Sequence, residues 1–305
     1  IKAKSHTILT IFKKIVDEKQ KQLGVSISKS TYGKYELVYR RLQEYIKQEY
    51  KNEDLPLYSI DDDFVNGFDI FLRVDKKVGH NATAKMLQKL KTATNYAQSH
   101  GMLQEDPFYD KKITFEEVEV PYLTLEELQT IMEKNILNDR LRRVRDVFVF
   151  SCFTGLAYSD TYFLTEEHLH KANDGKIWIK KPRQKTKVVA DIPLLEVPLQ
   201  ILEKYRGQQT GGRLLPVCSN QKVNQYLKEL ATVCGINKEL TYHVARYTFA
   251  TSLTLLHDVP MASIAKMLGH TNIRQTQHYA KATNILVGRS MQNLSEQLNL
   301  HMEVK

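Results

Sequence analysis

Four side chains near the C-terminal end have types and spacings suited to chemistry on a phosphodiester: His243, Arg246, His270 and Tyr279. His243 and Arg246 are three apart in a segment of helical patterning, so both leave the same helix face. His270 closes the turn-like run Leu268-Gly269-His270, and Tyr279 follows nine positions later, past a short polar helix. A phosphodiester under attack needs fixed cationic donors for its non-bridging oxygens, and a tyrosine phenol can serve as the nucleophile. Each residue alone says little, since a helical His is commonly structural and the chain has 16 tyrosines. The weight lies in the joint pattern.

The elements that must position these residues read as mainly helical. Ile8, Ile11, Phe12, Ile15 and Val16 give one helix, stopped by Gly24. A second, capped by Ser28 or Ser30, carries Tyr35, Val38, Leu42, Tyr45 and Ile46 to about Tyr50. A third starts at the acidic run Asp61–Asp63 and ends near Gly79, and Asn81 or Thr83 opens a fourth. No strand is expected there. On the fourth helix Lys85 and Lys89 share a face, and with Lys91, Thr83 and Thr92 they form a candidate phosphate-contacting surface.

Residues 113–121 read as a linker between domains at 1–112 and 122–305. Thr124 and Glu127 then form a capping box opening the second domain. Strands are expected only within 164–195, around the Asp174-Gly175 turn and the β-branched run from Val188. Lys180, Lys181, Arg183, Lys185 and Lys187 crowd this ribbon, whose tip is expected to be mobile. Helices are expected to return at about 196–206, 220–234, 241–257, 260–268, 271–278 and 285–299.

Composition sets the bounds. A chain of 305 residues is long enough for two domains, and a net charge of +9 favours a polyanionic partner. Cys152, Cys218 and Cys234 are few and far apart, which argues for reduced thiols in a cytoplasmic setting and against a zinc site. No apolar run is long enough for a membrane span, and the polar start shows no signal peptide. Beginning on Ile1 rather than Met, the chain reads as an internal fragment. Acidic residues do not cluster as they would around two magnesium ions, so neither a metal nor another cofactor is expected.

His-x-x-Arg, then Leu-Gly-His, then Tyr nine residues on, with Thr248-Phe249-Ala250-Thr251 after the Arg, resembles the C-terminal motif of the tyrosine recombinases, the phage-type integrases. The resemblance is strongest over 241–280, fair over 154–193 and weaker over 5–105. Tyr247 departs from it, because the family usually has a His there. The implied fold is a helical, SAM-like core-binding domain followed by a mainly helical catalytic domain with a small β-hairpin or sheet. The implied activity is site-specific cleavage and rejoining of double-stranded DNA through a 3′-phosphotyrosyl intermediate, without ATP, by a homotetramer whose C-terminal segment docks on a neighbour. Leu286, Leu294 and Leu298 make the last helix amphipathic enough for that docking. A mobile-element integrase of this kind acts beside bacterial nucleoid DNA, with accessory DNA-bending proteins as further partners.

The resemblance also assigns roles. Tyr279 is the nucleophile, Arg246 clamps a non-bridging oxygen, His243 accepts the phenol proton or bonds the phosphate, and His270 holds another oxygen. Lys185, with Lys187 second, protonates the leaving 5′-oxygen, while Lys181 and Lys187 also count as DNA contacts. Asp160 supports the site. The family's other Arg normally follows Thr-Gly-Leu, but here Thr154-Gly155-Leu156 is followed by Ala157, which cannot donate to a phosphate. Arg183, Arg142, Arg143 and Arg145 are the candidates to replace it. Two alternatives stand beside the recombinase: a DNA-binding protein that has lost catalysis, and a type IB topoisomerase-like enzyme.

Overall fold

Apolar residues recurring every third or fourth position build the first four helices: α1 (Ile8–Lys21), α2 (Lys29–Tyr45), α3 (Asp62–Arg73) and α4 (His80–Ser99). The computed structural model describes residues 6–279 and 283–298 and divides into two units, Ile1–Val118 and Glu119–Lys305. In the first, Phe12, Leu42, Phe64, Phe68, Phe71, Leu87 and Leu90 meet in one core. Ser28 caps α2 by accepting from Thr31 N–H, and Asp61 caps α3 by accepting from Phe64 N–H. α2 runs on through a π-helical turn at Ile46–Tyr50.

Two boundaries differ from expectation. α3 stops at Arg73, where the chain curls back so that Val78 N–H bonds Leu72 O and Lys77 takes a positive φ. Gly79 is then the N-cap of α4 rather than the end of α3.

The second unit is built around α6 (Asp139–Thr154), which follows α5 (Leu125–Glu133) and the capping box of Thr124 and Glu127. Val144, Val147, Phe148, Val149, Phe150 and Cys152 are all buried, so the second half of α6 is apolar on nearly every side, as a central helix must be. Its end is fixed by Gly155 at φ +66°. A Cβ there would lie 2.5 Å from Phe249 and 2.7 Å from Leu268, so both the backbone and the packing call for glycine.

After α7 (Tyr158–Tyr162) comes an antiparallel sheet in the order β1 (Leu169–Lys171), β2 (Ile177–Pro182), β3 (Val189–Pro193). Leu169 pairs with Ile179, and Lys181 with Ala190. α8 (Glu196–Tyr205), α9 (Asn220–Cys234) and α10 (Tyr242–Thr248) follow, with α10 against α6. The long helix expected over 241–257 is broken. After α10 the chain widens into a π-helix at Phe249–Thr254 and tightens into a 3₁₀ turn at Leu255–His257. Thr254 Oγ1 donates to the carbonyls of Phe249 and Ala250 within the widened turn. α11 (Met261–Met267), α12 (Arg274–Gln277) and α13 (Thr283–Leu298) are the last of the described elements. No helix among the described residues is long and apolar enough to cross a membrane.

Candidate active site

Arg246 is at the centre. Tyr242, one turn earlier on α10, is buried against Ser151 of α6 and donates its backbone N–H to Asn224 Oδ1 at 2.8 Å. Those contacts fix the helix and carry Arg246 inward until it is 4% exposed. There its Nη1 donates to Gly155 O at 2.6 Å, and its Nη2 to Leu268 O at 2.7 Å and His270 Nε2 at 2.8 Å. The ends of α6 and α11 thus hold the guanidinium by their terminal carbonyls, which lack partners within their own helices. Burial lowers the Arg246 pKa, and the phenol of Tyr279, within hydrogen-bonding reach, opposes that shift.

The histidines are held differently. Because His270 Nε2 accepts from Arg246, its ring proton sits on Nδ1, which donates to Thr276 Oγ1 at 2.8 Å. Burial, then the charges of Arg246 and Arg183, lower the His270 pKa to about 4, so the ring is neutral near pH 7. His243 keeps an exposed edge, yet the protein packed around it, and then Arg246 and Arg183, lower its pKa as well. Tyr279 is 6% exposed. Its ring lies parallel to His270 at 6.1 Å and edge-on to Tyr247 at 4.7 Å.

Ala157 is the N-cap of α7, where it offers only a carbonyl, to the N–H groups of Asp160 and Thr161. The second guanidinium arrives from the end of β2. Arg183 donates through Nε to Asp160 Oδ2 at 3.3 Å and through Nη1 to Leu268 O at 3.3 Å. Leu268 O is therefore shared by Arg183 and Arg246. Arg183 also crosses Gly269 so closely that a Cβ there would lie 2.7 Å from its Cδ. Asp160, 1% exposed, also accepts Gln184 N–H at 2.8 Å. The hairpin tip is a closed turn tied to α7, with Lys187 N–H on Arg183 O and Lys187 itself at positive φ. Lys185 and Lys187 are exposed on that turn.

Several expected roles need correction. Lys181 is only 2% exposed and donates to Phe163 O at 2.7 Å beside His168, so it is enclosed and not available to DNA. Thr83 is fully buried, with its hydroxyl on Val78 O. Lys91, partly exposed, pairs with Asp106 at 3.8 Å, and Thr92 stays exposed with its hydroxyl on Gln88 O, so both remain candidate DNA contacts. Arg142 pairs with Asp139, Arg145 holds Asp146 and Lys134 O, and the charge of Arg143 acts on Tyr205, so these three face away from Arg246. Lys85 and Lys89 do stand together, near Lys34 and with Lys89 over the Tyr35 ring. The sequence reading missed Thr276, which sets the His270 tautomer, and the contact of Tyr247 with Tyr279. Among the described residues no group of three His, Cys, Asp or Glu side chains could hold a metal ion.

Comparison with known proteins gives this geometry its context. Residues 7–123 match the phage integrase SAM-like domain, and residues 121–284 match the phage integrase family. Tyrosine recombinase XerD of Listeria monocytogenes is 25% identical over 236 residues, covering 72% of this chain and 77% of its own. A tyrosine recombinase of Agathobacter rectalis is 25% identical over 298 residues, covering 85% and 95%. Among solved structures, a lambda integrase fragment in a dimer bound to a COC′ core site aligns with a TM-score of 0.71 at 15% identity, covering 90% of this chain and 95% of that one. The Tn1549 transposon integrase, in complex with a circular intermediate DNA, aligns with a TM-score of 0.68 at 18% identity, covering 90% and 95%. With more than half of its length matched by the family's catalytic portion, the chain belongs to the phage integrase family and is a DNA recombinase of the tyrosine class.

Proposed function

We propose that Tyr279 cleaves DNA by transesterification and that Arg183 takes the place of the arginine missing at Ala157. The phenolic oxygen bonds to phosphorus, the bond from phosphorus to the 5′-oxygen breaks, and a 3′-phosphotyrosyl link conserves the ester. His243 receives the phenol proton, and Lys185, on the hairpin turn, gives one to the leaving oxygen, with Lys187 as its alternate. Arg246 and Arg183 meet the charge that develops on the non-bridging oxygens. The convergence of both guanidiniums on Leu268 O carries this reading. Two like charges brought so close by the fold form a seat for an anion. His270 serves it by keeping Arg246 in place.

In the first unit, Lys34, Lys85 and Lys89 offer a basic face for the phosphates flanking the cleavage point. In the second, Phe153, Trp178, Pro193, Leu195, Phe249 and Leu253 line an apolar groove of about 450 Å³. α13 exposes Val287, Met291, Leu294 and Leu298 at helical spacing, each between 42% and 59%. That stripe fits such a groove on a neighbouring protomer and supports assembly into a tetramer on DNA. The chain acts in this reading as a mobile-element integrase in the cytoplasm, with the SAM-like unit as its core-binding domain and DNA-bending proteins assisting.

The test is covalent trapping on suicide substrates made from the element's own ends. Wild type should form an adduct. Tyr279→Phe should bind without forming one. Arg183→Ala should cleave about 10²–10³-fold more slowly, the usual cost of removing one transition-state donor, while Arg142→Ala stays near wild type. Wild type that binds but never forms an adduct would support the lapsed DNA-binding protein. Relaxation of any supercoiled plasmid without strand exchange would support the topoisomerase reading.

A further inference from the structure

Tyr247 immediately follows Arg246 on α10 and lies one turn after His243, so Tyr247 and His243 share a face. Its ring meets His243 edge-on at 5.1 Å and Tyr279 edge-on at 4.7 Å, with interplanar angles of 77° and 68°. Tyr279 also lies parallel to His270, whose Nδ1 is fixed by Thr276. Tyr279 thus contacts two rings, one the neighbour of Arg246 on α10 and the other hydrogen-bonded to Arg246. A phenol has few soft torsions, and edge contacts on its ring restrict the last of them.

We propose that Tyr247 is a positioning residue for the nucleophile: its ring edge holds Tyr279 against His270 so that the phenolic oxygen stays at the Arg246 guanidinium. This rests on the assignment of Tyr279 as the nucleophile. The ring does the work, through its edge contacts with His243 and Tyr279. Without them Tyr279 samples orientations in which its oxygen is out of line with phosphorus, and the chemical step slows while DNA binding does not.

Single-turnover cleavage of a suicide substrate, measured beside equilibrium DNA binding, separates these effects. Tyr247→Ala and Tyr247→Leu should lower the cleavage rate constant by about 2–13-fold, the range of a lost aromatic pair, with Kd within about twofold of wild type. Tyr247→Phe should restore the wild-type rate. Tyr247→Leu retains bulk and so carries the test if the alanine variant folds poorly. Unchanged cleavage in the leucine and alanine variants would overturn the proposal, as would a phenylalanine variant as slow as they are. Wild type that forms no adduct at all would remove the nucleophile assignment first, an outcome distinct from active wild type with an indifferent Tyr247.

Discussion

Neutral His270 couples the site to the stability of its unit. An unfolded histidine takes up a proton as pH falls through about 6.5, while His270 in the fold resists until about 4. Between those values the unfolded chain binds the additional proton, so the stability that the buried neutral ring contributes is complete above about pH 6.5 and is lost as pH falls toward 4. His168 and His243, both lowered with burial as the leading cause, act in the same direction. Melting curves should therefore show Tm dropping across this range, with a shallower drop for His270→Gln, which cannot take up the proton. An identical slope in the variant would remove His270 from the account. The tautomer behind this was not legible from residue types, because it depends on Thr276 being folded back onto the ring. The His-x-x-Arg spacing was legible, since three residues along a helix suffice to place both side chains on one face.

At the level of elements, the readable features were local ones. The Thr124 capping box and the Asp174-Gly175 turn are closed by residues a few positions apart, and both form. The side chains misread as DNA contacts also had a local signal. Alternation from Ile179 places Lys181 inward on β2, and the spacing of Thr83, Leu87, Leu90 and Thr94 places Thr83 on the buried face of α4. The choice among four arginines had no such signal. It depends on β2 meeting α7 across 23 residues and the end of α11 across 85. Gly155, at the hinge between α6 and α7, joins stability to site geometry. Gly155→Ala places a Cβ in the left-handed region and against Phe249 and Leu268, which should cost about 2–4 kcal/mol in chemical denaturation. Cleavage should fall too, since the Gly155 carbonyl anchors Arg246. A variant with wild-type stability would show that the turn relaxes without cost.

For the whole molecule, the unusual features of the second unit are an open apolar groove and an apolar helix stripe. A monomer gains nothing by leaving Val287, Met291, Leu294 and Leu298 in water, and a patch of that kind on a soluble protein usually marks an interface. In the groove, Trp178 Nε1 and Asp191 Oδ1 are enclosed without a hydrogen-bond partner among the described residues, so an incoming helix could satisfy polar groups as well as cover apolar ones. In the proposed assembly the stripe of one protomer meets the groove of the next; these are different surfaces of one chain, so the pairing is head-to-tail, and a closed ring follows if the rotation per step closes. Truncation after residue 282 should leave single-site binding nearly intact, since the Lys34–Lys85–Lys89 face and the paired arginines remain. It should abolish the larger complexes that bring two sites together in gel-shift titrations. Leu253→Asp, on the groove side, should have the same effect, and mixing it with the truncated chain should restore nothing beyond a dimer, because each head-to-tail contact needs one intact stripe and one intact groove. Persistence of full assembly in both variants would place the interface elsewhere on the molecule.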